Sequence, residues 1–216
     1  MGLNLGSGAL DALDVRLGSV TPPAVYHGSD LVWPLTEATW DGGFESIATI
    51  TVGAGGASSI EFVDIPQTFS HLQVRFVARS DMSGYNNDPV TVRFNSDTGS
   101  NYAYHSLYGT GAAAGAEAAS SETYGRAGSV PGANISASMF GVGVIDILDY
   151  ASTSKATTVR SFVGFDNNST AGLARLNSSL WSSTNAVTTM ELGLRTSSGN
   201  FAQYSRASLY GIGKVV

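Results

Sequence analysis

The chain has 216 residues and carries 11 Lys plus Arg against 17 Asp plus Glu, for a formal net charge of −6, and it contains no cysteine. The acidic balance argues against a nucleic-acid partner, which selects clustered Lys and Arg, and the lack of thiols excludes disulfides and thiolate metal sites. No apolar run approaches the ~18 residues of a membrane helix, and the N-terminus lacks the basic region and apolar core of a secretory signal, so the expectation is a soluble protein without a membrane partner, made without Sec-type export.

The first thirty residues repeat one unit: "LNLGSG", "VRLGSV" and "VYHGSD" each run through a short apolar or extended stretch into Gly-Ser at Gly6, Gly18 and Gly28. Glycine permits positive φ, so each unit reads as one or two very short strands with a turn. Such ribbons are marginal alone in water. Leu17, Val25, Tyr26, Leu31, Val32 and Trp33 therefore need a surface to cover them, either the rest of the chain or another molecule. Docking on a partner explains why so small a unit is repeated. Residues 1–40 are accordingly taken as an attachment segment, with those six residues as its assembly interface.

From residue 41 onward the pattern is strand, turn, strand. "SIATITV" (Ser46–Val52) and "SIEFVDI" (Ser59–Ile65) flank glycine-rich "GAGGAS", which reads as a hairpin connection. "LQVRFVAR" (Leu72–Arg79) alternates apolar and polar residues with the period of a half-buried strand. "VTVRF" (Val90–Phe94) and "YAYHSLY" (Tyr102–Tyr108) follow. Gly109–Ser138 breaks the rhythm: it is rich in Ala, Gly and Ser, and reads as a long loop that touches a partner or as a mobile surface insertion. Within it "AAAGAEAAS" (Ala112–Ser120) holds helix formers, which Gly115 and the lack of large apolar anchors weaken. Phe140–Leu148, Thr157–Phe165, Leu173–Trp181, Ala186–Arg195 and Tyr204–Gly213 complete the strand series. About ten strands with almost no helix predict an all-β sandwich over 41–216, and the long crossovers favour a jelly-roll-like antiparallel β-sandwich over an up-and-down barrel.

Several residue groups invite a chemical reading. His105 next to Ser106 suggests a hydrolase, but no Gly-x-Ser-x-Gly elbow exists and strand neighbours face opposite ways. Asn95, Asp97 and Asn101, or Asp81, Asn86, Asn87 and Asp88, offer oxygen ligands of the kind calcium takes; the same residues are ordinary turn formers, which is the preferred reading. Asp146 and Asp149 lie in an apolar run, three residues apart and so on opposite strand faces, which argues against a paired-carboxylate glycosidase. Trp33, Trp40 and Trp181 could serve as a sugar-stacking platform or as core. Asn168-Ser169-Thr170 matches a glycosylation sequon and reads as a polar loop. No catalytic residue, metal ligand or cofactor is assigned, and an enzyme is not expected.

Taken together, "VRLGSVTPPAVYHGSDLVWP" (Val15–Pro34), "FESIATITVG" (Phe44–Gly53), "IPQTFSHLQVRFVAR" (Ile65–Arg79), "VRFNSDTGSNYAYHSLYG" (Val92–Gly109), "LWSSTNAVT" (Leu180–Thr188) and "SLYGIG" (Ser208–Gly213) resemble the structural proteins of tailed-bacteriophage particles. The resemblance implies a non-enzymatic virion component, a head decoration (cement) protein or small adaptor, docked on other capsid or tail subunits. It also implies a homo-oligomer, with a trimer as the first expectation because particle surfaces offer threefold sites. The alternative is a tail-fibre or baseplate module that binds a host surface or glycan.

Overall fold

The computed structural model describes residues 25–27, 30–33, 43–168, 172–195 and 199–214. The chain divides into two units, Met1–Gly42 and Gly43–Val216. In the first, β1 (Val25–His27) pairs antiparallel with β2 (Asp30–Trp33), with Val25 opposite Trp33, Tyr26 opposite Leu31 and His27 opposite Asp30. Of the six expected docking residues, five therefore sit in this ribbon. Leu17, the Gly-Ser turns and Trp40 lie outside the described residues.

The second unit is all strand among its described elements: β3 (Glu45–Thr51), β4 (Ser59–Phe62), β5 (Phe69–Ala78), β6 (Asn87–Phe94), β7 (Tyr102–Gly109), β8 (Ala114–Glu122), β9 (Gly125–Pro131), β10 (Gly141–Leu148), β11 (Thr157–Phe165), β12 (Leu173–Trp181), β13 (Met190–Leu194) and β14 (Arg206–Lys214). All pairings are antiparallel. Eight of the strands form one long folded hairpin: β3 pairs with β14, β4 with β13, β5 with β10, and β6 with β9. Curling that hairpin brings β14 beside β5 and β13 beside β6. The result is two sheets, β3-β14-β5-β10 and β4-β13-β6-β9, which is the jelly roll. Two further hairpin pairs extend the first sheet. β11 and β12 follow β10, and β7 and β8 join beyond β12, giving the eight-stranded order β3-β14-β5-β10-β11-β12-β7-β8.

Two expectations are corrected here. "GAGGAS" does not connect a hairpin: β3 and β4 lie in different sheets, and the segment carries the chain from one to the other. The long loop at 109–138 is mostly strand, because it contains β8 and β9. Their small residues mislead a reader of single sequences. β9 is buried along its whole length although Val130 is its one large aliphatic residue. Large side chains from the facing strands fill the space that its own side chains leave. At Gly128 the backbone has φ of +146°, and an added Cβ would stand 2.6 Å from Val163 Cγ1. Both the conformation and the clearance require glycine. The pairing of β6 with β9 also steps over Ala127, a bulge that bends β9 across the sandwich.

The core lies between the sheets. Leu72, Val74, Ile145, Ile147 and Leu209 from the large sheet meet Ile60, Phe62, Val92, Phe94, Met190 and Leu192 from the small one. Each such side chain contributes about 1.5–3 kcal/mol through burial. Trp181 is core as well, ringed by Phe94 and Tyr102 at 5.6 and 6.4 Å between centroids.

Candidate assembly interface

Strand alternation fixes what the outer face of the large sheet shows. Rows of directly opposed residues cross it from β5 to β8. One row runs Arg75, Val144, Phe162, Leu176, Leu107, Ala116, and the next runs Val77, Val142, Gly164, Ala174, Gly109, Ala114. In a sandwich these positions face water and are normally polar. Here they are apolar across five strands, and Phe162 and Leu107 are 64% and 61% exposed. Phe162 stands between two shallow depressions. One, of about 440 Å³, is walled by His105, Leu107, Arg160 and Leu176. The other, of about 380 Å³, is walled by Arg75, Val77, Val142 and Val144. A knob flanked by hollows on one flat sheet is a self-complementary relief.

At one side of this face Arg75 lies over the rings of Phe44 and Tyr210, 4.9 and 5.8 Å from their centroids, and those rings stack at 4.6 Å. At the other, β8 is the edge strand, nine residues long with neither Pro nor Lys. Its outward residues Ala114, Ala116, Ala118 and Ser120 are small. An open edge of this length presents unpaired backbone donors and acceptors to any second strand.

The underside of the inserted strands adds polar ties to its apolar packing, which includes Val159, Val163 and Trp181. In register with apolar Val74 and Ile145 come Ser161, Asn177, Ser106 and Glu117. Ser106 Oγ donates to Asn177 Oδ1 and Asn177 Nδ2 donates to Ser161 Oγ, each at 2.8 Å. Ser179 Oγ takes the Arg126 N–H at 3.0 Å and gives its proton to Arg126 O at 2.8 Å, clipping β12 to β9. Next to this clip, Arg126 and Arg175 are 2% and 6% exposed. Both converge on Glu117: Arg175 is bidentate at 3.1 and 3.2 Å, and Arg126 Nη2 is 3.4 Å away. Arg126 also lies over the Tyr104 ring and Arg175 over Tyr108, at 5.0 and 4.7 Å. The Arg175 hydrogen bonds hold the Glu117 carboxyl below its ordinary pKa, with the charges of Arg175, Arg126 and Arg195 adding to the effect against a desolvation penalty. The overhanging strands that carry Leu107 and Leu176 are thereby fixed from below.

The sequence candidates resolve one by one. Asp97 is a turn cap and anchor: it accepts from the Gly99 N–H, Asn101 Nδ2 and Trp181 Nε1 at 2.8, 2.9 and 2.7 Å. Asn95, at φ of +50°, receives the backbone N–H groups of Thr188 and Thr189 on Oδ1. Asp97 performs turn chemistry, whereas Asn95 ties its turn to Ala186, Thr188 and Thr189, more than ninety positions away. Asp81 caps the Asn200 N–H at 2.6 Å. Ser106 is buried under β7 while His105 is exposed on its outer side, as alternation requires. Asp146 bonds Gln73 on the outer face, and Asp149 begins the turn after β10, beside Lys155 and His71. Among the described residues no three His, Asp or Glu side chains converge as a metal site would need.

The outer apolar row escaped the sequence reading, although a signal exists. "YAYHSLY" and "TTVRSFVGF" each carry one large apolar residue out of phase with the buried set, Leu107 and Phe162, and "LARLNSSLW" carries two, Leu176 and Leu180. Only the register aligns Leu107, Phe162 and Leu176. The chain matches no family model, and neither the curated proteins nor the solved structures contain a significant match to it.

Proposed function

We propose that the chain is a non-enzymatic structural subunit of a tailed-phage particle, a head decoration or small adaptor protein that assembles as a homo-oligomer. The observation that carries this reading is the apolar row of Val144, Phe162, Leu176 and Leu107 with Val77 and Val142 beside it. Side by side, these residues offer roughly 500 Å² of apolar surface, within the range of the largest patches on monomers and more than half of the ~800 Å² that each partner commits to a standard interface. The Phe162 knob and its two hollows suit a second copy of the same face. Residues 1–40, with Leu17, Val25, Tyr26, Leu31, Val32 and Trp33, then provide the attachment to other virion subunits; a same-face contact by itself closes a twofold pair, so the threefold arrangement first expected would come from how the attachment segments seat on the particle.

The test separates the two surfaces. Sedimentation velocity on the full chain should show an oligomer that Phe162→Ser combined with Leu176→Ser converts to a monomer with an unchanged melting temperature. Deleting residues 1–40 should leave the oligomer intact and abolish incorporation into particles. A wild-type chain that stays monomeric at high concentration, together with full incorporation of the truncated one, overturns the proposal.

A further inference from the structure

At one end of the sandwich the β5–β6 and β9–β10 connections meet the end of β13 and enclose a groove of about 650 Å³, within the range of small-ligand sites. Its lining is unlike the apolar outer face. Tyr85, 54% exposed, contributes a ring, and Asn86, Asn87 and Asn134 contribute three side-chain amides. Those amides have no hydrogen-bond partner among the described residues. Arg195, hydrogen-bonded to Tyr124, closes one side.

The rim is held firmly. Gly132 N–H donates to Asn86 O at 3.0 Å, Ala133 N–H to Met82 O at 2.9 Å, and Asn134 N–H to Tyr85 O at 3.3 Å. A Cβ at residue 132 would lie 2.4 Å from Tyr85 O, so glycine is what lets the two loops touch. Behind them the buried Arg79 guanidinium donates to three carbonyls of the β9–β10 loop: Ile135 O at 2.5 Å, Ser136 O at 2.7 Å and Met139 O at 3.1 Å. A pinned rim holds the backbone of both loops in place before any ligand arrives, so that only the side chains are left to order on binding.

We infer that this groove binds an oligosaccharide, with acidic sugars preferred over neutral ones. Each amide offers two donors and a carbonyl acceptor, the complement of vicinal sugar hydroxyls that donate and accept. The face of Tyr85 suits the C–H face of a pyranose ring, which buries apolar surface against the negative side of the aromatic quadrupole. Arg195 supplies a cation for a uronate carboxylate in a chain whose net charge is −6. No carboxylate lines the groove itself, although the Arg195 charge also acts on Glu117 and Glu122. The inference does not depend on how the chain assembles.

The experiment uses the full chain on an array of malto-, chito-, alginate and galacturonate oligosaccharides, followed by calorimetric titration of whichever probe binds. Wild type binds at least one probe. Tyr85→Ala and the pair Asn86→Ala with Asn134→Ala each weaken it about tenfold or more. Arg195→Gln weakens the uronate probes alone, and Phe162→Ser on the outer face changes nothing. The asparagine pair is exposed, so it keeps the test decisive if Tyr85→Ala fails to fold. No binding to any probe, or binding unchanged in the asparagine pair and in a folded Tyr85→Ala, overturns the inference.

Discussion

Glu117 is where a single substitution should cost most for its exposure. Its carboxylate is the acidic partner of Arg175 and Arg126, whose side chains are almost wholly buried while its own is 35% exposed. Arg126 Nε and Arg175 Nε already lack partners. Glu117→Ala leaves two guanidiniums out of water with no counter-charge. Removing one member of a fully buried pair costs about 3–5 kcal/mol. Water reaches Glu117 itself, so about 2–3 kcal/mol is the expectation here, since solvent already screens part of the attraction. For a domain of this size that is a fall in melting temperature of roughly 5–10 °C. Guanidinium denaturation at pH 7, followed by the emission of buried Trp181, measures it. Glu61→Ala is the control: it makes the same charge change at an exposed position of β4 and should stay within about 0.5 kcal/mol of wild type. If Glu117→Ala falls within that margin too, the argument that one carboxylate holds down the overhanging strands is wrong.

Two other perturbations test separate parts of the fold. Asp97→Ala removes the acceptor of the Trp181 indole N–H and two turn contacts, and should cost about 1–3 kcal/mol in the same denaturation assay. The Trp181 and Asn101 hydrogen bonds depress the Asp97 carboxyl pKa. Its stabilisation is therefore fully present above the ordinary carboxylate range and disappears as pH falls through the lowered folded value, so the gap between wild type and Asp97→Ala should close in acid. Gly128→Ala meets both a strained φ and Val163, and should lose about 3 kcal/mol. Adding Val163→Ala should relieve the clash and leave the backbone strain, so recovery near wild type would refute the conformational part of the account.

The two inserted strand pairs explain how a jelly roll acquires an unusual surface. The eight strands of the basic fold use their inner faces for the core, as Val74, Ile145, Val92 and Leu192 show. β7, β8, β11 and β12 widen only one sheet, and β9 is the strand of the other sheet that packs against β10, β11, β12 and β7. Under them the interior keeps Val159 and Val163 but sets a polar row beside them: Ser161, Asn177 and Ser106 joined by hydrogen bonds, and Glu117 held by Arg175. The apolar side chains that the interior does not use here stand on the outside instead.

Strand existence was local information. Period-two alternation marked β5, turn residues bounded the candidates that became β11 and β12, and the all-β class with its jelly-roll form followed from many short strands and turn residues at Gly, Asn and Asp. Asp97 was likewise legible as a turn residue, because an Asx side chain caps the backbone beside it, here the Gly99 N–H; Asn95 sits in the turn but spends its amide on Ala186, Thr188 and Thr189, a tie no local pattern encodes. What the chain order could not reveal depends on contacts between distant residues. β8 and β9 are built largely from Ala, Gly and Ser, whose propensity for strand is weak, and their glycines are covered by Tyr108 and Val92 on the neighbouring strands and by Val163 from the facing sheet. The hairpin expected at "GAGGAS" became a crossing between sheets because β14 and β13 compete for the two flanking strands. Leu107, Phe162 and Leu176 become one surface, and Tyr85, Asn134 and Arg195 one groove, only when the sheet register and loop packing join residues that lie 14 to 110 positions apart, a juxtaposition that no local pattern of side chains encodes.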